Sequence, residues 1–267
     1  MDINSYLPPR VAVIEVSGMI GGRIHAREFT NLLRAIGENS RYRSVVLDID
    51  SPGGSAFASE DIYLATQRLA LQKPVVAAIR GLGASGSYMV ACASERIFAL
   101  PSSVVGSIGV ISARPIVEEF LAKVGVEMIV SKSGRYKDMG SPFREPTEEE
   151  KAKEQELIDA IYKRFVEIVA EGRPGLDRQR IEDLATGEIF LGEHAKKVGL
   201  IDELGSIDDA IAWAAERAEI PARPVFLKPK RSIAQMLFSR SAVEIVDSAM
   251  IEVAERFYSR ILHSRHQ

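Results

Sequence analysis

Short runs of β-branched and other apolar residues recur along this chain, with stretches of helical period between them. Val11-Ala12-Val13-Ile14-Glu15-Val16 scarcely alternates between apolar and polar and is followed by Gly18 and Gly21-Gly22, which predicts a buried strand. Val45-Val46-Leu47-Asp48-Ile49 and Val75-Val76-Ala77-Ala78-Ile79 read the same way. The first is stopped by Pro52-Gly53-Gly54 and the second by Gly81 and Gly83. Residues 96–99 and 126–130 predict two further strands. Phe29, Leu32, Leu33 and Ile36 share one helical face over 28–36, with Gly37 expected as the C-cap. Residues 58–71 and 88–93 also read as helices. Thr147-Glu148-Glu149-Glu150 has the capping-box pattern and opens a long helix to about Gly172. Its acidic start, 148–156, is expected to be a solvated first turn suited to the helix dipole. Strands alternating with helices predict an α/β fold of repeated ββα or βαβ units.

The character changes at Pro221-Ala222-Arg223-Pro224. Beyond it, after the basic Lys228-Pro229-Lys230-Arg231, residues 232–262 carry a helical apolar stripe. The expected division is a main domain over 1–220 and a helical C-terminal extension over 221–267. Such an extension serves packing or oligomerisation, with contact to an anionic membrane surface as the alternative.

Composition narrows the partners. With 267 residues, 46% of them hydrophobic and 27% charged, the chain is long enough for one sizeable core. A formal charge of −3 and a pI near 5.9 give no reason to expect nucleic acid. The single cysteine, Cys92, lies in an apolar stretch and reads as a small buried hydrophobe. No run reaches the roughly 18 apolar residues of a membrane span, and the first ten residues do not have the pattern of a secretion signal. No His, Cys or Glu cluster has metal-ligand spacing, and the glycines match neither a P-loop nor a dinucleotide fingerprint, so neither metal nor cofactor is expected.

The candidate chemistry lies at glycine-rich turns. Ser85, in Gly83-Ala84-Ser85-Gly86-Ser87-Tyr88, stands between a predicted strand and a predicted helix. There it is either an ordinary N-cap or a nucleophile whose small neighbours admit a substrate backbone. In the second case the Gly86 amide would point toward an oxyanion. Asp50-Ser51-Pro52-Gly53-Gly54 is either a tight turn or the source of a second oxyanion donor, the Gly54 amide. Lys137, in Gly134-Arg135-Tyr136-Lys137-Asp138-Met139, reads by itself as a surface charge. To act as a base it must lose about 3 units of pKa, and Asp138 would oppose that shift if it faced the amine. His25, His194, His263 and His266 occupy undistinguished settings, which disfavours a histidine triad.

Taken together, these segments resemble the signal peptide peptidase A family of Ser-Lys serine peptidases over about residues 11–215. Asp50-Ser51-Pro52-Gly53-Gly54 is similar to the family's glycine-rich turn, and Ala84-Ser85-Gly86-Ser87-Tyr88 to its nucleophile segment. Gly106-Ser107-Ile108-Gly109-Val110 is similar to the segment that follows. Ser133-Gly134-Arg135-Tyr136-Lys137 with Ser141-Pro142-Phe143-Arg144 resembles its lysine segment, 52 residues beyond the serine. Residues 195–205 resemble its closing motif. The resemblance implies a ClpP/crotonase-like fold with Ser85 as nucleophile and Lys137 as general base. It further implies Gly54 and Gly86 as oxyanion donors, with Gly53 and Ser107 in support. It implies peptide substrates such as remnant signal peptides, and a homo-oligomeric ring. Ser87 stands where the family often has glycine, and the membrane anchor of many members has no counterpart in the sequence given. A protease for one membrane protein, such as a stomatin-like partner, would share this chemistry. A crotonase-type acyl-CoA hydratase or hydrolase, or an inactive scaffold, would have no use for Lys137.

Overall fold

The computed structural model describes residues 7–229. In chain order the elements are β1 (Arg10–Ser17), α1 (Ala26–Glu38), β2 (Tyr42–Ser51), α2 (Ala56–Ala70), β3 (Val75–Ala84), α3 (Gly86–Ala91), β4 (Arg96–Ala99) and β5 (Val104–Gly106). Then come α4 (Glu118–Lys123), α5 (Glu148–Gly172), α6 (Arg178–Leu184), β6 (Ile189–Leu191), α7 (Gly192–Lys197), β7 (Glu203–Leu204), α8 (Ile207–Arg217) and β8 (Pro224–Leu227). The α/β class expected from the alternation is the class observed. Two compact units divide the chain, one of residues 110–164 and a larger one holding the rest.

In the larger unit the strands form one sheet in the order β6-β5-β3-β2-β1-β8, with β4 beside β3 and β7 beside β4. All pairings are parallel except β5 with β6. Parallel strands covered on both faces lose the apolar–polar alternation, and Val11 to Ile14 and Val45 to Leu47 are all at most 1% exposed. On one face Val11, Val13, Val46, Val76 and Phe98 pack against Ala210, Ile211, Ala214 and Ala215 of α8. The start of α8 is fixed by a Ser206/Asp209 capping box. Phe29, Leu33 and Ile36 form the buried stripe of α1, which packs against α2.

Several boundaries depart from the sequence reading. Gly37 lies inside α1, and Asn39 is the C-cap, because the Asn39 amide still reaches the Ile36 carbonyl. Pro224–Leu227, at the start of the expected extension, is a strand that pairs with β1 in register Val11↔Pro224 to Ile14↔Leu227. The helix expected over 232–262 lies outside the described residues. No helix among the described residues is long and apolar enough to cross a membrane.

The smaller unit holds α4, the lysine segment and the first part of α5. Residues 126–130 form no strand here, contrary to expectation; all five are exposed. Their apolar, β-branched composition suits a strand, but a strand also needs a neighbour for its amides and carbonyls, and none pairs with them among the described residues. The expected capping box at the start of α5 is present. Glu150 N donates to Thr147 Oγ1 at 3.2 Å, and Thr147 N to the Glu150 carboxylate at 2.9 Å. Its acidic run is not wholly solvated, since Glu150 is 4% exposed.

Candidate active site

Parallel strands end together, and in α/β sheets the crevice beyond their carboxyl ends is where ligands bind. Here β2, β3 and β5 are neighbours. They deliver Gly53-Gly54, Ser85 and Ser107 from the same end of the sheet. The register Ala84↔Gly106 sets Ser85 opposite Ser107, and Ser85 N donates to the Gly106 carbonyl at 2.8 Å.

Ser85 is not an ordinary N-cap. Its side chain makes no cap hydrogen bond to α3, and its backbone lies at φ 54, ψ −126. Positive φ is uncommon for a residue with a Cβ and costs about 1–3 kcal/mol, a strain that clusters at functional sites. Ser107 shares this feature, at φ 50, and its amide donates to the Glu188 carbonyl at 2.7 Å.

The glycine turn is shaped by close approach. A Cβ on Gly53, whose φ is +90°, would stand 2.6 Å from the Gly86 nitrogen and 2.9 Å from the Ser85 Cβ. On Gly54 it would stand 2.1 Å from the Ile20 carbonyl oxygen. On Gly86 it would meet the Ser59 hydroxyl at 2.0 Å and lie 3.6 Å from the Gly54 nitrogen. No side chain fits these positions without a shift, because the glycine turn lies against the start of α3. Neither the Gly54 nor the Gly86 amide donates a hydrogen bond among the described residues.

Buried hydroxyls hold the turn to the serine, and this arrangement was not foreseen from the sequence. Ser51 Oγ donates to the Gly18 carbonyl at 2.6 Å and accepts from the Gly53 amide at 3.1 Å. Ser87 Oγ bonds the Ser51 carbonyl at 2.7 Å and the Ala84 carbonyl at 2.8 Å, bridging the ends of β2 and β3. Ser87 therefore does what glycine could not, fastening α3 to the neighbouring strand. The loop 18–20 clamps the turn from its other side: Ile20 N donates to Gly53 O at 2.7 Å, and Ser55 N to Ile20 O at 2.8 Å.

Beneath the serine, α3 is anchored at its far end. Tyr88 donates its hydroxyl to the Leu200 carbonyl at 2.7 Å. Gly172, at the end of α5, packs so closely that a Cβ there would meet the Cys92 carbonyl oxygen at 2.3 Å. Burial pushes the Cys92 thiol up to about 12, so it is inert as a nucleophile. The guanidinium of Arg173 pairs with both oxygens of Asp202, at 2.7 and 2.8 Å.

The structure thus brings Ser85, Gly86, Gly53, Gly54 and Ser107 together in the larger unit. Lys137 belongs to the smaller unit, in a turn where its amide donates to the Gly134 carbonyl at 3.1 Å and its side chain is exposed. Asp138, the carboxylate next to it, is engaged by Lys132 and Arg144 instead. No group of three or more metal-ligating side chains occurs among the described residues. His25 sits at the N-cap of α1 without a cap hydrogen bond, and His194 stacks edge-on against Phe190.

Comparison with known proteins places the chain in a family. A protein of Methanocaldococcus jannaschii that bears a protease name is 41% identical over 195 residues, covering 73% of this chain and 62% of the relative. A similarly named protein of Synechocystis is 39% identical over 209 residues, 78% of this chain and 74% of the relative. A protein of Enterococcus faecium that bears the name signal peptide peptidase is 34% identical over 213 residues, 76% of this chain and 62% of the relative. The chain therefore spans less than two thirds of the length of two of these three relatives. Residues 67–221, which contain Ser85, Ser107 and Lys137, match the family description of peptidase family S49. By that match and by these relatives, the chain belongs to peptidase family S49, a family of serine-type peptidases.

Proposed function

We propose that this protein is a Ser-Lys endopeptidase that hydrolyses apolar, extended peptides such as remnant signal peptides, and that it works as a homo-oligomer. The observation that carries the reading is Ser85, held at positive φ beside two uncommitted amides, Gly54 and Gly86, at the ends of adjacent parallel strands. Membership of the family supports Lys137 as its base.

In this reading Ser85 Oγ attacks the carbonyl carbon of the scissile bond while neutral Lys137 Nζ takes its proton. The oxyanion that develops accepts hydrogen bonds from the Gly54 and Gly86 amides, each worth about 3 kcal/mol in comparable sites. The intermediate collapses, the C–N bond breaks, and the amine leaves with the proton from Lys137. Water then attacks the Ser85 ester, giving its proton to Lys137, and the carboxylate product departs as Ser85 Oγ is reprotonated. Ser107 supports Lys137 by accepting a hydrogen bond. Nothing in this scheme calls for a metal or cofactor.

The test compares wild type with Ser85→Ala and Lys137→Ala, all three folded, on an unfolded apolar polypeptide and with a fluorophosphonate that labels activated serines. Ser85→Ala is expected to lose both labelling and cleavage. Lys137→Ala is expected to lose cleavage by about 100-fold or more, the usual contribution of a general base. Wild type should gain rate from pH 7 to 9, because a lysine must be neutral to accept a proton and its ordinary pKa is about 10.4. A folded Lys137→Ala enzyme at full rate removes Lys137 as base. Wild type inert on peptides but active on an acyl-CoA thioester replaces the peptidase reading with the crotonase one.

A further inference from the structure

A carboxylate beside a general-base lysine works against it, since a nearby negative charge stabilises the ammonium and raises its pKa. Asp138 follows Lys137 directly in the chain. Both of its oxygens are nevertheless occupied by other cations. Lys132 Nζ lies 2.6 Å from Oδ1, and Arg144 Nε donates to Oδ2 at 2.9 Å. Arg144 is anchored in turn: Nη1 donates to the Glu150 carboxylate at 2.8 Å and to the Glu145 carbonyl at 3.0 Å, and Nη2 donates to the other Glu150 oxygen. Glu150 is itself fixed, because it is the carboxylate of the Thr147 capping box and is buried. Lys137 makes no ion pair among the described residues.

We infer that Arg144, braced on Glu150 and assisted by Lys132, is a positioning residue that withholds the Asp138 carboxylate from Lys137 and so keeps the lysine available as a base. The inference rests on the reading of Lys137 as general base given above. Three neighbouring side chains of the same unit have partners of their own. Arg135 and Tyr136 both engage Glu149 of α5, and Glu118 of α4 accepts the Glu145 amide at 3.3 Å. The two carboxylates of the cluster stay ionised from neutral pH upward. The Arg144 and Lys132 hydrogen bonds hold the Asp138 carboxyl far below the usual carboxylate range. Arg144, then the Thr147 amide, bring Glu150 down to about 2. Changes in activity between pH 7 and 10 therefore do not come from the Asp138 or Glu150 carboxyl.

The experiment is the pH profile of kcat/KM from pH 7 to 10.5, with folding checked by urea denaturation. Arg144→Gln keeps a hydrogen-bond donor but removes the charge, and it should move the rising limb upward by about 1 unit, the low end of a facing-charge effect. Arg144→Lys should hold the limb near its wild-type position, and Asp138→Asn added to Arg144→Gln should return it there. Should Arg144→Gln fail to fold, Lys132→Gln, at a more exposed site, is expected to move the limb in the same direction. A limb that stays put in the folded neutral variants, or that Asp138→Asn does not restore, overturns the inference. Lys137→Ala separates the two failures. If it abolishes activity while the limb is unmoved, only the role of Arg144 is lost; if it leaves activity intact, the base assignment itself is wrong.

Discussion

Ser85 holds a conformation that costs about 1–3 kcal/mol, and it persists because its surroundings over-determine it. The amide is tied to Gly106, the next residue opens α3, and Ser87 is bonded to two carbonyls on neighbouring strands. The same tightness makes the glycine turn intolerant. Gly53→Ala places a methyl at positive φ within 2.6 Å of the Gly86 nitrogen. It is expected to lower kcat by about 100-fold or more, comparable to losing one oxyanion donor. Steady-state kinetics on a peptide substrate would check this, and a folded variant with more than a tenth of wild-type kcat would count against the turn's role. Ser87→Ala leaves the Ser51 and Ala84 carbonyls without this donor and should destabilise the protein by about 1–3 kcal/mol in urea denaturation. A neutral result would mean that water takes over both carbonyls.

At the level of elements, the short helix α3 is steadied from below by the end of α5 and by the loop before β7. Arg173 and Asp202 lock this junction, with Arg173 side chain 9% exposed. Burial, the largest single influence, raises the Asp202 carboxyl, but the hydrogen bonds and charge of Arg173, the Ile97 amide and the charge of Arg96 together leave its pKa lowered. A pKa that is lower folded than unfolded contributes stability above the ordinary carboxylate pKa, and that contribution is lost as pH falls through the folded value. Wild type should therefore lose urea stability below about pH 4, where the unfolded carboxyl takes up its proton. Asp202→Asn should show less of that acid-side loss and be about 3 kcal/mol less stable at pH 7, since it strands a buried guanidinium. Equal acid slopes in the two proteins would remove the pair from the account.

At the scale of the whole molecule, the smaller unit exposes Ile111, Phe120, Val124 and Ile129, of which Ile111 and Ile129 are 90% and 87% exposed. Apolar surface of this kind marks interaction sites, and the homo-oligomer proposed above would cover it. Sedimentation should find a multiple of the 29.3 kDa chain at micromolar concentration, and Phe120→Glu with Ile129→Glu should reduce that mass. A monomeric wild type would refute the assembly. Much of this architecture was legible beforehand. Runs such as Val75 to Ile79 read as buried strands, and the glycines around Ser85 and after Pro52 read as turns. Those signals are local: a residue's own backbone demands and the period of its neighbours determined the α/β class, whereas Ser85 stayed open between N-cap and nucleophile until the family resemblance implied the second. Residues 126–130 show the limit, for composition suits them to a strand and only the presence of a pairing neighbour decides whether one forms. Likewise no spacing announces that Ser51 and Ser87 fasten the glycine turn, or that Arg144 takes Asp138 from the side of Lys137. Each of those partnerships joins groups whose meeting depends on how the backbone is folded, which is why tertiary structure alone could settle them.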